Sequence, residues 1–482
     1  MPRQDGTTVQ YGYDGANRVT SILDSAISST ATTIGYDNAS NATGMSLSNG
    51  AAVTKGYDPM ERLTSVVNKT SGGSVISSYS YNYDADSDRT GVSESDGSIV
   101  DYGYDDLRRL TSEARTGTDP YNCSYTLDPA GNRTVWTDNT HNTSVSYTYD
   151  SANRLTAAGN YSYGYDPDGN RTSVTVGGNT TNYQFDYDDR LTGIGTSVSY
   201  SYIGAGTDRY SKTVSGTTTD FLYDNGNVDE EMQGTTVTAD YGASAEKLNG
   251  TVSWMLQDGQ RSTRQLLNSG QTVVASYISD AFGNSVGGSG SSTNPFIWNG
   301  GSGYYSDAES GLQKVGARYY DPAVGRWISQ DTMLVAGSLG DSQAINRYAY
   351  CGGNPIGRWD PSGRMNPITG PKDRKDRIDH LLKIIAAAQA DYARAASELK
   401  MARNDLHNAR NSRESGRAAE RIRDARERMM YDGEVADVAR EEMRSIGEES
   451  YDGANEAIQQ AVEGSNGFTE KVYGSEGNSG DN

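Results

Sequence analysis

A short aromatic motif, repeated, limits what this chain can become more than any other feature. It reads Tyr11-Gly12-Tyr13-Asp14-Gly15-Ala16-Asn17-Arg18-Val19-Thr20, then Tyr102-Gly103-Tyr104-Asp105-Asp106-Leu107-Arg108-Arg109-Leu110-Thr111, then Tyr147-Thr148-Tyr149-Asp150-Ser151-Ala152-Asn153-Arg154-Leu155-Thr156. Further copies run from Tyr163 to Thr172 and from Phe185 to Thr192. The anchors Asp14, Asp37, Asp58, Asp84, Asp105, Asp128, Asp150, Asp166 and Asp188 recur about every 22 residues, the mark of a repeat array.

Each copy predicts a strand, a turn and a return strand. Two rings separated by one residue share a face of an extended chain. Asp with Gly, Ala or Asn suits a tight turn, and Arg-Leu-Thr starts the way back with Leu on the face opposite Arg and Thr. One hairpin is marginal in water, so successive copies must join into a continuous sheet that buries one face. Disordered tracts are poor in aromatics, whereas this chain carries 34 Tyr. Only 5 Phe and a hydrophobic share of 34% leave little for a conventional Leu/Phe core, so the apolar burial has to come from tyrosine rings.

The pattern Tyr-x-Tyr-Asp-x-x-x-Arg-Leu-Thr resembles the YD repeat of the Rhs and teneurin families, with clear copies from about residue 11 to 225 in a repeat region expected over residues 1–225. That resemblance implies a mainly β fold, a spiral β-sheet shell or barrel, here a partial one whose open edge another chain would cover. Residues 226–300 are less regular and are expected to continue the shell. Thr251 to Leu256, Thr272 to Ile278 and Pro295 to Trp298 look like strands, and Gly287-Gly288-Ser289-Gly290-Ser291-Ser292 like a flexible surface loop.

Residues 301–364 differ from the repeats. Ala317-Arg318-Tyr319-Tyr320-Asp321-Pro322, Gly325-Arg326-Trp327 and Asp360-Pro361-Ser362-Gly363 resemble the Rhs repeat-associated core. Asp-Pro and Asn-Pro pairs start turns, and Tyr319, Tyr320, Trp327, Tyr348, Tyr350 and Trp359 supply ring area to cap an open β spiral. The resemblance further implies a self-cleaving site in which Asp331 and Asp360 act as an aspartyl-type pair, Arg326 holds the site together, and the cut falls between Arg364 and Met365. Two carboxylates sharing a proton provide one acid and one base. This sequence departs from cleaving members at Arg364, where they carry leucine, and at Thr332, where they carry proline.

After Gly363 the composition changes. Leu381, Ile385, Ala388, Tyr392, Ala395, Leu399, Ala402, Leu406 and Ala409 form a heptad seam, and a second runs from Ala418 to Ile446. A C-terminal α-helical hairpin domain is expected over residues 365–464, with 465–482 disordered. His380 and His407 belong to no catalytic or metal motif, and the arginines from Arg410 to Arg428 alternate with acids as a solvated face does.

A net charge of −21 and a pI near 4.6 argue against a nucleic-acid grip by the body. Cys123 and Cys351 exclude a disulfide framework or CxxC metal site, leaving one long bridge or two free thiols. No apolar run is long enough to span a membrane, no export signal is visible, and no cofactor or metal site is expected. Two functions follow from the resemblance. One is a secreted or cell-surface carrier that presents or encloses the tail as a toxin in bacterial competition, with an immunity protein and secretion machinery as partners. The other is an adhesive YD-repeat protein that binds carbohydrate or a surface ligand and oligomerises through a coiled-coil tail.

Overall fold

The computed structural model describes residues 3, 6–204, 206–224, 226–291, 293–331, 346–364 and 401. The expected helical hairpin over 365–464 and the tail 465–482 lie outside these residues, Met401 aside. The described chain begins as a 28-stranded antiparallel sheet, from Val9–Tyr13 to Ser285–Ser289. Strands pair in chain order throughout, as a continuous meander.

The anchor aspartate organises each turn. Asp14 N–H donates to the carbonyl of Arg18, and Asn17 N–H donates back to the carbonyl of Asp14. The Asp14 carboxylate accepts from the N–H of Ala16 at 2.9 Å and of Arg18 at 3.0 Å, and from Arg18 Nε at 2.8 Å. The Arg18 N–H outweighs the opposing desolvation and, with the Arg18 side chain, holds this carboxyl below its ordinary range. The residue three places after the aspartate has positive φ, as at Asn17, Glu61, Arg108 and Asn153, so a side chain is tolerated where glycine would be easiest.

Each turn is tied to the next. Arg18, Arg62, Arg109 and Arg154 donate to the backbone carbonyls of Asp37, Asp84, Asp128 and Asp166. The ring before each aspartate completes the link: Tyr36, Tyr57, Tyr83, Tyr104 and Tyr149 donate their hydroxyls to the carbonyls of Val19, Ala42, Leu63, Arg89 and Arg133. Those acceptors stand at or beside a register shift, where the bulge frees a carbonyl from the ladder.

Three expectations need correction. The ninth anchor is Asp186, not Asp188: Asp186 accepts from the N–H of Asp188 and Arg190 and from Arg190 Nε at 2.8 Å. The array also continues through the stretch that looked irregular, because Asp258 and Asp280 make the same turn. Ser285–Ser289 is a strand, so residues 287–289 are not a loop; Gly288 N–H donates to Asp119, and Gly287 packs against that side chain too closely for a Cβ. Pro295 to Trp298 is not a strand.

The ribbon returns against itself. Arg3 bonds Asp229 at 2.5 Å, Trp254 Nε1 donates to Ser48 at 2.8 Å, Ser77 donates to Gln265 at 2.9 Å, and Ala281 N–H donates to Glu113 at 2.8 Å. Sequence separations of 226, 206, 188 and 168 residues join these pairs, so a later pass of the spiral lies along an earlier one.

A second sheet of four short strands follows: Tyr305–Asp307, Leu312–Val315, Arg318–Asp321 and Arg326–Trp327. It plugs the ribbon. Leu312, Tyr319 and Ile328 pack on Leu191, Ile194 and Tyr200; Val324 packs on Tyr147, Leu155 and Ala158; Tyr305 packs on Phe221 and Tyr241. At the plug's centre, Trp298, Tyr304, Tyr320, Trp327 and Tyr350 bury one another, with Trp298 stacked on Tyr320 at 5.3 Å. Cys123 and Cys351 are both buried and unbridged. Among the described residues no helix is long and apolar enough to cross a membrane.

Candidate functional site

The segment around Asp360 is held by close backbone approach. Gly363 has φ of 64° and sits where a Cβ would run into the Val315 carbonyl. Gly316 likewise has no room for a Cβ beside the Ser362 carbonyl, which accepts from Ala317 N–H at 2.8 Å. Glycine is therefore required at both places, and the Asp-Pro-Ser-Gly turn lies directly on the strand end 315–318. Ser362 Oγ donates to Asp360 Oδ1 at 2.9 Å, and Asp360 N–H donates to the Tyr304 hydroxyl at 2.8 Å. Upstream, Asn354 fixes the approach: it donates to Asp88 at 3.0 Å and accepts from Gly357 N–H at 2.8 Å.

Arg318 collects the charges. Its Nη2 lies 2.8 Å from Asp331 Oδ2 and 3.4 Å from Asp360 Oδ2. Its Nε donates to the carbonyl of Gly363, and Nη1 donates to the carbonyl of Arg347 at 3.1 Å. The guanidinium is 4.1 Å from the Trp327 ring, which gives it a flat platform. Asp331 is placed by its N–H, which donates to the Arg347 carbonyl at 3.0 Å. Asp360 is fully buried.

Both aspartates named from sequence thus meet at one cation. The arginine between them is Arg318, whereas Arg326 points elsewhere: it donates to Asn132 at 2.9 Å, to the Asn153 carbonyl at 2.7 Å and to Asn346 at 3.3 Å. Arg326 anchors the plug to the repeat turns. Arg364 is half-buried, and Met365 lies outside the described residues. Lys314 was not anticipated; it is buried, donates to the Gly316 carbonyl, and burial pulls its pKa down to about 7. Burial, with the Asp360 charge second, pushes the Cys351 thiol up and keeps it inert.

One guanidinium thus lies between two carboxylates and beside the Gly363 carbonyl. Arg318 also polarises the Gly363 carbonyl, one residue before the Arg364–Met365 bond.

This chain is similar to several known proteins. Salivary gland surface protein 1 of Aedes aegypti is 31% identical over 143 residues, 30% of this chain and 4% of that protein. The tRNA nuclease WapA of Bacillus subtilis (strain 168) is 39% identical over 94 residues, 19% of this chain and 4% of that protein. Among solved structures, the Photorhabdus luminescens Tc holotoxin pore, carrying an aspartate-to-alanine substitution in TccC3, is similar with a TM-score of 0.56 at 18% identity, over 76% of this chain and 20% of that one. TcdB2-TccC3 without its hypervariable C-terminal region gives 0.55 at 17% identity, over 74% and 20%. The chain therefore spans about 4% of the length of these curated relatives and about a fifth of the solved chains. The sequence profile of the teneurin YD-shell matches residues 90–356, more than half of the 482, and the chain belongs to that YD-shell family.

Proposed function

We propose that this chain belongs to a YD-shell carrier that cuts itself between Arg364 and Met365 and delivers the residues beyond as an effector in contact between bacterial cells. The observation that carries the reading is the Arg318 clamp on Asp331 and Asp360, with the Gly363 carbonyl on the same guanidinium. A built acid–base pair beside the junction between two compositions is the equipment that release requires. Support also comes from the solved relative whose C-terminal region is described as hypervariable.

In this reading Asp360 and Asp331 divide the roles of acid and base, and Arg318 positions both. The carrier works outside the producing cell, reached through a secretion apparatus, and an immunity protein protects the producer. Expression of residues 365–482 in a bacterial cytosol tests the effector: growth arrest relieved by the product of the adjacent reading frame is the expected result, and unimpaired growth contradicts it.

A further inference from the structure

Four buried arginines, Arg89, Arg133, Arg171 and Arg209, each directly follow an Asp or Asn at a repeat turn. All four lie over aromatic rings: Arg89 on Tyr81 at 4.4 Å, Arg133 on Phe282 at 4.2 Å, Arg171 on Tyr183 at 5.0 Å, Arg209 on Phe221 at 4.4 Å. Rings alone do not compensate a buried cation; an anion or a full set of acceptors is needed. Arg171 has Asp321 at 2.6 Å, Arg209 has Asp307 at 2.5 Å, and the charge of Arg133 acts on Asp280. Arg89 has the neutral Tyr83 hydroxyl as a partner but no carboxylate among the described residues, and its Nε has no acceptor.

Arg89 lines a cavity between the early and late passes of the ribbon, together with Tyr81, Tyr102, Thr263 and Trp298. Thr263 and Trp298 are 0% and 2% exposed, and Thr263 Oγ1 and Trp298 Nε1 are also without partners. Guanidinium and indole N–H groups only donate, and a threonine hydroxyl can donate. The carboxylates on the same wall are already engaged. Glu94 holds Arg115 at 2.8 Å and Arg264 at 3.0 Å; Asp258 holds Arg264 at 3.3 Å and two turn N–H groups; Asp280 holds Asn284 and the Phe282 N–H. A water would satisfy a donor but brings two protons of its own that need acceptors, and it leaves the guanidinium charge uncompensated.

We propose that this cavity is an anion site, in which a small monovalent anion, a halide or a carboxylate of formate size, sits against Arg89 and receives the Trp298 and Thr263 donors. It takes the place that Asp307 and Asp321 fill for Arg209 and Arg171. Arg89 comes from an early repeat, Thr263 from the later pass and Trp298 from the approach to the plug, so a bound anion ties three parts of the shell together.

Two experiments on the full chain test this. Crystals grown in sodium bromide, measured at the bromine absorption edge, are expected to give an anomalous peak within hydrogen-bond distance of the Arg89 guanidinium; density refined as water with no anomalous peak overturns the proposal. In solution, bromide or formate should raise the melting temperature by about 2 °C or more over gluconate at equal ionic strength. That rise should vanish in Arg89→Gln and shrink in Trp298→Phe, which keeps a ring and loses the donor. An equal rise in the wild type and in Trp298→Phe overturns the assignment, whether or not Arg89→Gln folds.

Discussion

Arg318 lies between Asp331 and Asp360, its Nη2 2.8 Å from one carboxylate and 3.4 Å from the other, while its Nε holds the Gly363 carbonyl. The cation therefore holds both carboxylates against the segment that ends in Gly363. Arg318→Gln is expected to slow fragment formation about 100-fold, the cost of losing one preorganised donor at a reacting centre. Arg326→Gln breaks the bonds to Asn132, Asn153 and Asn346 and should lower stability while cleavage continues. Fragment ratios on a denaturing gel over time, beside urea unfolding of each variant, separate the two roles; equal loss of cleavage in both variants contradicts the assignment.

The plug is keyed into the repeats by buried ion pairs. Arg209 and Asp307 have side chains 1% and 0% exposed and sit 2.5 Å apart, with Lys212 at 3.0 Å from the same carboxylate. Asp307→Asn leaves a buried guanidinium under-compensated and should cost about 3–5 kcal/mol. Arg209→Met with Asp307→Leu removes both charges and should recover much of it. Urea midpoints in a double-mutant cycle give the coupling, and additive losses would mean that the pair does not key the plug.

Each turn rests on its aspartate. Asp105 accepts from Leu107 N–H, Arg109 N–H and Arg109 Nε at 3.0, 2.9 and 2.7 Å. Asp105→Ala should destabilise the shell by about 2 kcal/mol, and Asp188→Ala, which removes no such set, by less than about 0.5 kcal/mol. Thermal unfolding of the two variants side by side checks the difference.

Acid groups buried without cations make the shell sensitive to base. Glu246 is 1% exposed, its Oε2 has no partner, and burial, with Glu231 nearby, pushes its pKa from 4.5 up to about 8. The folded state therefore keeps a proton that the unfolded chain releases above about 4.5, so the contribution of Glu246 is fully present below that pH and is lost as pH rises through about 8. The urea midpoint should fall from pH 5 to pH 8, and Glu246→Gln should flatten the slope. A midpoint that rises over this range contradicts the account.

The repeat was legible in the sequence because its chemistry is local. An aspartate that accepts from the N–H groups two and four residues on has to appear at fixed spacing, and its preceding ring has to reach the neighbouring bulge. Tyr187 makes Asp188 read as the ninth anchor in the sequence, yet Tyr187 is wholly exposed and the ring in the anchoring place is Phe185. The turn at Asp280-Ala281-Phe282-Gly283-Asn284 is legible in the sequence, but neither it nor Asp258 reads as a repeat anchor, because Ser279 and Gln257 stand where the tyrosine usually does. Which arginine meets the two carboxylates was not readable: Arg318 and Arg326 lie in adjacent strands of one small sheet, and only the docking of Gly363 on Val315 and Gly316 brings Asp360 to the first. The pairing of Glu113 with Ala281, or of Arg3 with Asp229, depends on the pitch of the spiral, which no local pattern encodes.

The intact mass of the purified full chain, beside that of Asp360→Asn, tests the central claim most directly. The wild type should give two fragments divided between Arg364 and Met365, with masses that add to the chain plus one water, and Asp360→Asn should give a single species at 51.8 kDa. One intact species from both proteins, or the same two fragments from both, would contradict it.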